Sequence, residues 1–166
     1  MKTPFCIFCL KSGILCSRCQ EKVDKGLFSE LDIKVCKKFL ELEERFQELK
    51  EVEFIKALKI KGLTIILVKV PRGFPKRVWF EISRILRREF GSVRIIEKGY
   101  DIKSMIEQLL APVKILSIAT VWFPDGSSEL VVRISKHESR RLSVNKEDLE
   151  KVISTFAQIN ARIEYI

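Results

Sequence analysis

The residues of this chain best suited to chemistry are four cysteines near its start, Cys6-x2-Cys9-x6-Cys16-x2-Cys19. Two CxxC turns a few residues apart can surround one zinc ion with four thiolates. Tandem turns favour metal over the two rival readings, a disulfide pair and a redox CxxC. The expected cofactor is therefore one structural Zn²⁺ held by Cys6, Cys9, Cys16 and Cys19. Four thiolates fill its coordination and leave no open position for a catalytic water. Four thiolates and one Zn²⁺ sum to −2, so the formal net charge of +9 becomes about +7 with metal bound. Lys11, Arg18 and Lys22 lie close in sequence and offset that local charge, and Gly13 suits a tight reversal between the pairs. The fifth cysteine, Cys36, falls in a helical pattern and is expected as a buried free thiol.

No other grouping reads as catalytic. The single histidine, His137, stands in a Lys-His-Glu-Ser context that suits a solvent-facing helix better than a general base. No phosphate-cradling glycine loop is present, and the carboxylates fall three or four residues from Lys and Arg, where solvated pairs are the default. The chain is expected not to be an enzyme.

The positive charge has an address. Residues 52–98 carry 12 Lys and Arg against 4 Asp and Glu, while residues 1–51 carry 10 against 9 and residues 99–166 carry 9 against 9. An excess confined to the middle third predicts a polyanion-binding surface there. A solvated basic face without a partner is the plainer alternative.

These groups need elements to position them. A hydrophobic content of 46% and a charged content of 32% suit a globular protein of one to two small domains. The longest apolar run, Leu63 to Val68, has strand length, far below the roughly 18 residues of a membrane span. No export signal precedes the cysteines, so the expected compartment is the cytoplasm. Ser29 caps an amphipathic helix expected from Glu30 to about Lys50, with Leu31, Val35, Phe39, Leu42, Phe46 and Leu49 as its apolar stripe. Two strands, near Phe54–Ile60 and Leu63–Val70, turn at Lys61-Gly62. Pro71–Pro75 breaks the second strand. A helix follows from about Lys76 to Phe90 and stops at Gly91, before a strand at Val93–Glu97. Its buried stripe is Val78, Ile82, Ile85, Leu86 and Phe90, and Arg77, Arg84 and Arg88 share a neighbouring face.

The second half repeats the order: a helix capped by Asp101 to about Leu110, strands at Val113–Phe123 and Glu129–Ile134, a short helix at Lys136–Leu142, a helix at Lys146–Ile159 and an edge strand at Ala161–Tyr165. The result is an internal repeat of roughly 65 residues, seen by pattern rather than identity. The expected class is α+β, with a four-cysteine zinc finger at 1–25, an amphipathic helix at 29–51 that is either a connector or the first helix of the first unit, and two units at 52–98 and 99–166.

The repeated order is that of type II KH domains. The stretch Leu109-Leu110-Ala111-Pro112-Val113-Lys114-Ile115 resembles the segment opening the second KH domain of archaeal NusA-like transcription factors. The resemblance covers roughly residues 52–166, with the cysteine knuckle and long helix as additions. It implies RNA binding through a GxxG loop whose backbone grips the nucleic-acid backbone. This chain departs from the family there. Ser143, Val144, Asn145 and Lys146 occupy the loop of the second unit, with Ser143 and Lys146 where glycines belong. In the first unit only Arg72-Gly73-Phe74-Pro75 remains before the helix.

Side chains are expected to replace the lost loop amides. Arg72, Lys76, Arg77, Arg84 and Arg88 would neutralise phosphates, and Phe74 would stack on bases, as would Trp79 if it does not pack at the helix start. Trp122 and Phe123 read as strand or edge packing. The expected function is an RNA-binding accessory factor in transcription elongation, termination or related RNA metabolism, reading single-stranded RNA. The alternative is a scaffold docking on RNA polymerase or a ribosomal particle through KH units that no longer bind RNA. The chain is expected to be a monomer when free, with no membrane partner.

Overall fold

The computed structural model describes residues 1–99 and 101–166. It is an α+β structure of two compact units, Met1–Glu97 and Lys98–Ile166.

Unit 1 begins with two short helices, α1 (Ile7–Ser12) and α2 (Ser17–Asp24), followed by α3 (Glu30–Glu43) and a 3₁₀ turn at Gln47–Glu51. Strand β1 (Glu53–Ile60) pairs antiparallel with β2 (Leu63–Lys69), and β3 (Ser92–Glu97) joins β2 in parallel after helix α4 (Lys76–Phe90). The β1–β2 turn places both Lys61 (φ 44°) and Gly62 (φ 86°) in the left-handed region, the conformation that two-residue hairpins need. Phe39, Leu49, Ile66, Ile82 and Leu86 are fully buried together between helices and sheet.

Asp32 organises the start of α3. Its carboxylate accepts from the Ser29 amide at 2.7 Å while the Ser29 hydroxyl accepts from the Asp32 amide, closing a capping box. The same carboxylate accepts from the Ala57 amide of β1 at 2.7 Å, and Asp32 is wholly buried. One acid thus fastens helix to strand.

The cysteine segment is part of this core. Phe5, Cys9, Leu10 and Cys19 are buried in one cluster with Val35, Phe39 and Trp79. The Lys2 amide donates to Val52 O, and the Phe54 amide donates to Lys2 O. The finger expected at 1–25 is therefore a wall of unit 1 rather than a module beside it.

Helix α3 ends seven residues earlier than the stripe predicts. After Glu43 the chain turns, with the Arg45 and Phe46 amides both donating to Leu42 O. Phe46 and Leu49 are still buried. The turn folds them back onto the core, and burial pattern alone cannot distinguish that from continued helix.

Unit 2 contains α5 (Ile102–Leu110), β4 (Ile115–Trp122), β5 (Ser128–Ile134), α6 (Lys136–Ser139), α7 (Lys146–Ala157) and β6 (Asn160–Tyr165). The sheet order is β4-β5-β6, with β4–β5 antiparallel and β5–β6 parallel, matching β1-β2-β3. Even an irregularity repeats: each hairpin has a register shift early in its first strand, between Phe54 and Lys56 and between Ile115 and Ser117. Met105, Ile106, Leu109, Val132, Leu149, Val152 and Ile163 are among its buried apolar residues. The short helix expected at Lys136–Leu142 closes after four residues.

Candidate metal centre and basic surface

Each CxxC pair opens a helix. Cys6 and Cys16 stand at the N-caps of α1 and α2, so Cys9 and Cys19 fall in the first turns. Gly13 ends α1 at φ 77° and redirects the chain toward Cys16, a left-handed position that favours glycine. The result gathers the four Sγ atoms within 4.8 Å of one another. Cys6 Sγ lies 3.0 Å from Cys9 Sγ and 3.9 Å from Cys19 Sγ. Sulfurs at ~2.3 Å from a tetrahedral ion stand about 3.8 Å apart, so donor set and spacing fit one bound metal ion.

Backbone amides point at the sulfurs. The Cys16 amide donates to Cys9 Sγ at 3.1 Å, and the Cys6 amide to Cys19 Sγ at 3.5 Å. Such bonds favour thiolate over thiol. Protons are shared unevenly among the four. The backbone amide of Cys19 pulls Cys16 down to about 7, whereas the contact with Cys6 pushes Cys9 up to about 12. Arg18 and Lys22 border the same cleft of about 690 Å³ as Cys6, Cys16 and Cys19, supplying positive charge beside the cluster. Cys36 is buried elsewhere in the core, where desolvation and then the Asp32 charge hold its thiol protonated. It is packed rather than reactive.

The second site is the outer face of α4. Its inner face buries Val78, Trp79, Ile82, Leu86 and Phe90. Lys76, Arg77, Arg84, Arg87 and Arg88 are exposed. Among the described residues, no ion pair or hydrogen bond engages any of these five side chains. Lys76, Phe80, Ser83, Arg84 and Arg87, with Trp79 and Ile95, line a groove of about 330 Å³.

No protein-family model matches this sequence, and no curated protein does. Among solved structures the chain is similar to one titled "Crystal structure of APE1850", with a TM-score of 0.51 and 19% identity. The match covers 75% of this chain and 96% of that one. Neither unit alone makes up that share of the chain, so the alignment takes in both. At this identity the likeness concerns fold.

The remaining site residues fall as follows. Arg72 is exposed in the turn before α4. Phe74 is half-buried, with its ring stacked on Trp79 at 4.8 Å and 29°, so one of its faces is already covered. Trp79 is buried, edge-on to Phe39, and its indole N–H donates to Glu97 at 2.8 Å. In this position it packs the helix and leaves no face for a base. Phe80 is the residue that the sequence reading passed over. It lies off the apolar stripe and is 74% exposed among the cations.

In unit 2 the loop between α6 and α7 serves the fold. Val144 is buried, and the Asn145 side chain caps α7 by accepting from the Asp148 amide at 3.2 Å. Lys146 opens α7, and Ser143 is exposed. None of the four has a positive φ. His137 is exposed on α6. Trp122, at the end of β4, and Phe123 after it are exposed rather than packed, at 73% and 43%.

Proposed function

We propose that this chain is an RNA-binding accessory protein that holds single-stranded RNA on the outer face of α4. The observation that carries the reading is the row of unpaired cations, Lys76, Arg77, Arg84, Arg87 and Arg88, on one exposed helix. Lys25 and Lys38 each find a carboxylate within a turn of their own helices. The five of α4 do not. Lys76 and Arg77 also stand in the first turn of α4, at the positive end of its dipole, where cations destabilise a helix. Stability does not explain them, and a polyanion does.

Two further features support the reading. The element order of unit 2 is that expected of type II KH folds, and unit 1 shares its sheet topology but lacks the short helix before α4. The loop that would carry GxxG in unit 2 is occupied by a core residue and a helix cap, which leaves binding to side chains of unit 1. The function is then binding rather than catalysis, in transcription elongation, termination or related RNA metabolism in the cytoplasm, with the free protein a monomer. The metal is one structural Zn²⁺, which would tie α1 and α2 together.

A second reading, a scaffold docking on RNA polymerase or a ribosomal particle, is favoured by the cysteine segment. Ile7, Phe8 and Ile14 are 57%, 73% and 74% exposed there. Retrieval of the tagged protein with and without nuclease separates the two: partners lost on nuclease treatment support the RNA reading, and partners retained support the scaffold.

A further inference from the structure

Phe80 is 74% exposed, on a par with Phe8 and Trp122, and it alone of the three stands among the α4 cations. It takes no part in the core, and no other described ring packs on it. Helical spacing sets Lys76 one turn before it and Arg84 one turn after, with Arg87 nearly a turn further on. All four line the same groove. From Lys76 to Arg87 the helix rises about 16 Å, at ~1.5 Å per residue.

The combination selects the ligand. A closed duplex would satisfy the cations and leave the ring idle in water. A single strand presents phosphates for the cations and unpaired base faces for the ring at once. We propose that Phe80 is the base-stacking residue of this surface, with one nucleobase of single-stranded RNA on its ring while Lys76, Arg84 and Arg87 hold the flanking phosphates. Phe74, whose face lies on Trp79, does not fill that role. The inference rests on the RNA reading above and gives it a specific contact.

The test uses the full chain, a fluorescent eight-nucleotide U-rich RNA, a duplex RNA and poly-glutamate as probes, and anisotropy at several salt concentrations. Phe80→Ala is expected to weaken single-strand binding about five- to a hundredfold. It should leave the salt slope unchanged, because no phosphate contact is lost. Duplex affinity should also stay unchanged, and Phe80→Trp should retain single-strand affinity. Phe80 is exposed, so the circular dichroism of both variants should match the parent.

Salt-dependent binding by the parent with Phe80→Ala equally tight would overturn the stacking role alone. Equal weakening on single strand and duplex would do the same. Poly-glutamate binding as tight as RNA, and indifferent to Phe80→Ala, would replace the ligand with an acidic protein. No RNA binding by the parent at low salt would remove the underlying reading and this inference with it.

Discussion

The two units share a plan and differ in what they do with charge. Several cations of unit 2 pair within it: Arg133 with Glu164 at 3.0 Å, Arg162 with Glu164 at 3.1 Å and Glu129 at 3.5 Å, and Arg141 with Glu138 at 3.2 Å. Lys146 and Lys103 each reach a glutamate one turn along their helix. Unit 1 leaves five cations of one helix without a partner. The apolar pattern that builds helix, hairpin, helix and parallel strand is therefore independent of the surface it displays. Fold follows the buried stripe, and the proposed binding face follows the charges that the fold does not use.

The largest expected effect comes from breaking the metal centre. Chelation, or Cys9→Ser, should loosen unit 1 as a whole, because Cys9 and Cys19 are buried in one cluster with Phe39 and Trp79. Hydrogen exchange should show deprotection from the N-terminus into α3 and β1 while α7 and β5 stay protected. Deprotection confined to residues 1–25 would make the cysteine segment a separate module after all.

Charge reversal then compares the units directly. Glu substitutions at Arg77, Arg84 and Arg88 should lower single-stranded RNA affinity about a hundredfold or more and reduce the salt slope. The matching triple at Arg133, Arg141 and Arg162 should change affinity by less than about threefold, since those charges are already answered by carboxylates. Gel shifts at low salt read both.

Helix starts give a smaller contrast. Asp32→Ala removes a capping box and strands the buried Ala57 amide, at a cost of about 2–4 kcal/mol in urea unfolding. Asn145→Ala removes only an exposed cap and should cost about 1 kcal/mol.

The smallest effect is expected from Ser143→Gly with Lys146→Gly, which rebuilds GxxG in unit 2. RNA affinity should not rise in a titration, because Val144 still fills the core and Asn145 still caps α7.

How legible the molecule was in its sequence depended on the range of the interaction. The cysteine spacing is local, and the four sulfurs gather as the two CxxC pairs suggest. The outer face of α4 was readable from a period of 3.6. Phe80 was equally readable, since it breaks the Val78–Ile82–Leu86 stripe and sits one turn from two cations. The end of α3 was hidden, because Phe46 and Leu49 keep a helical period across a bend. The reach of Asp32 to Ala57 was also hidden. Its capping position announced a helix start, but a strand 25 residues away leaves no mark on local pattern.

The central claim is that nucleic acid meets unit 1 on α4 and bypasses the loop of unit 2. It is tested most directly by titrating the isotope-labelled full chain with a U-rich single-stranded RNA and following amide resonances. The account predicts saturable shifts confined to residues 72–95 and centred on Lys76 to Arg88. Shifts centred on residues 140–150, with those of α4 unmoved, would contradict it.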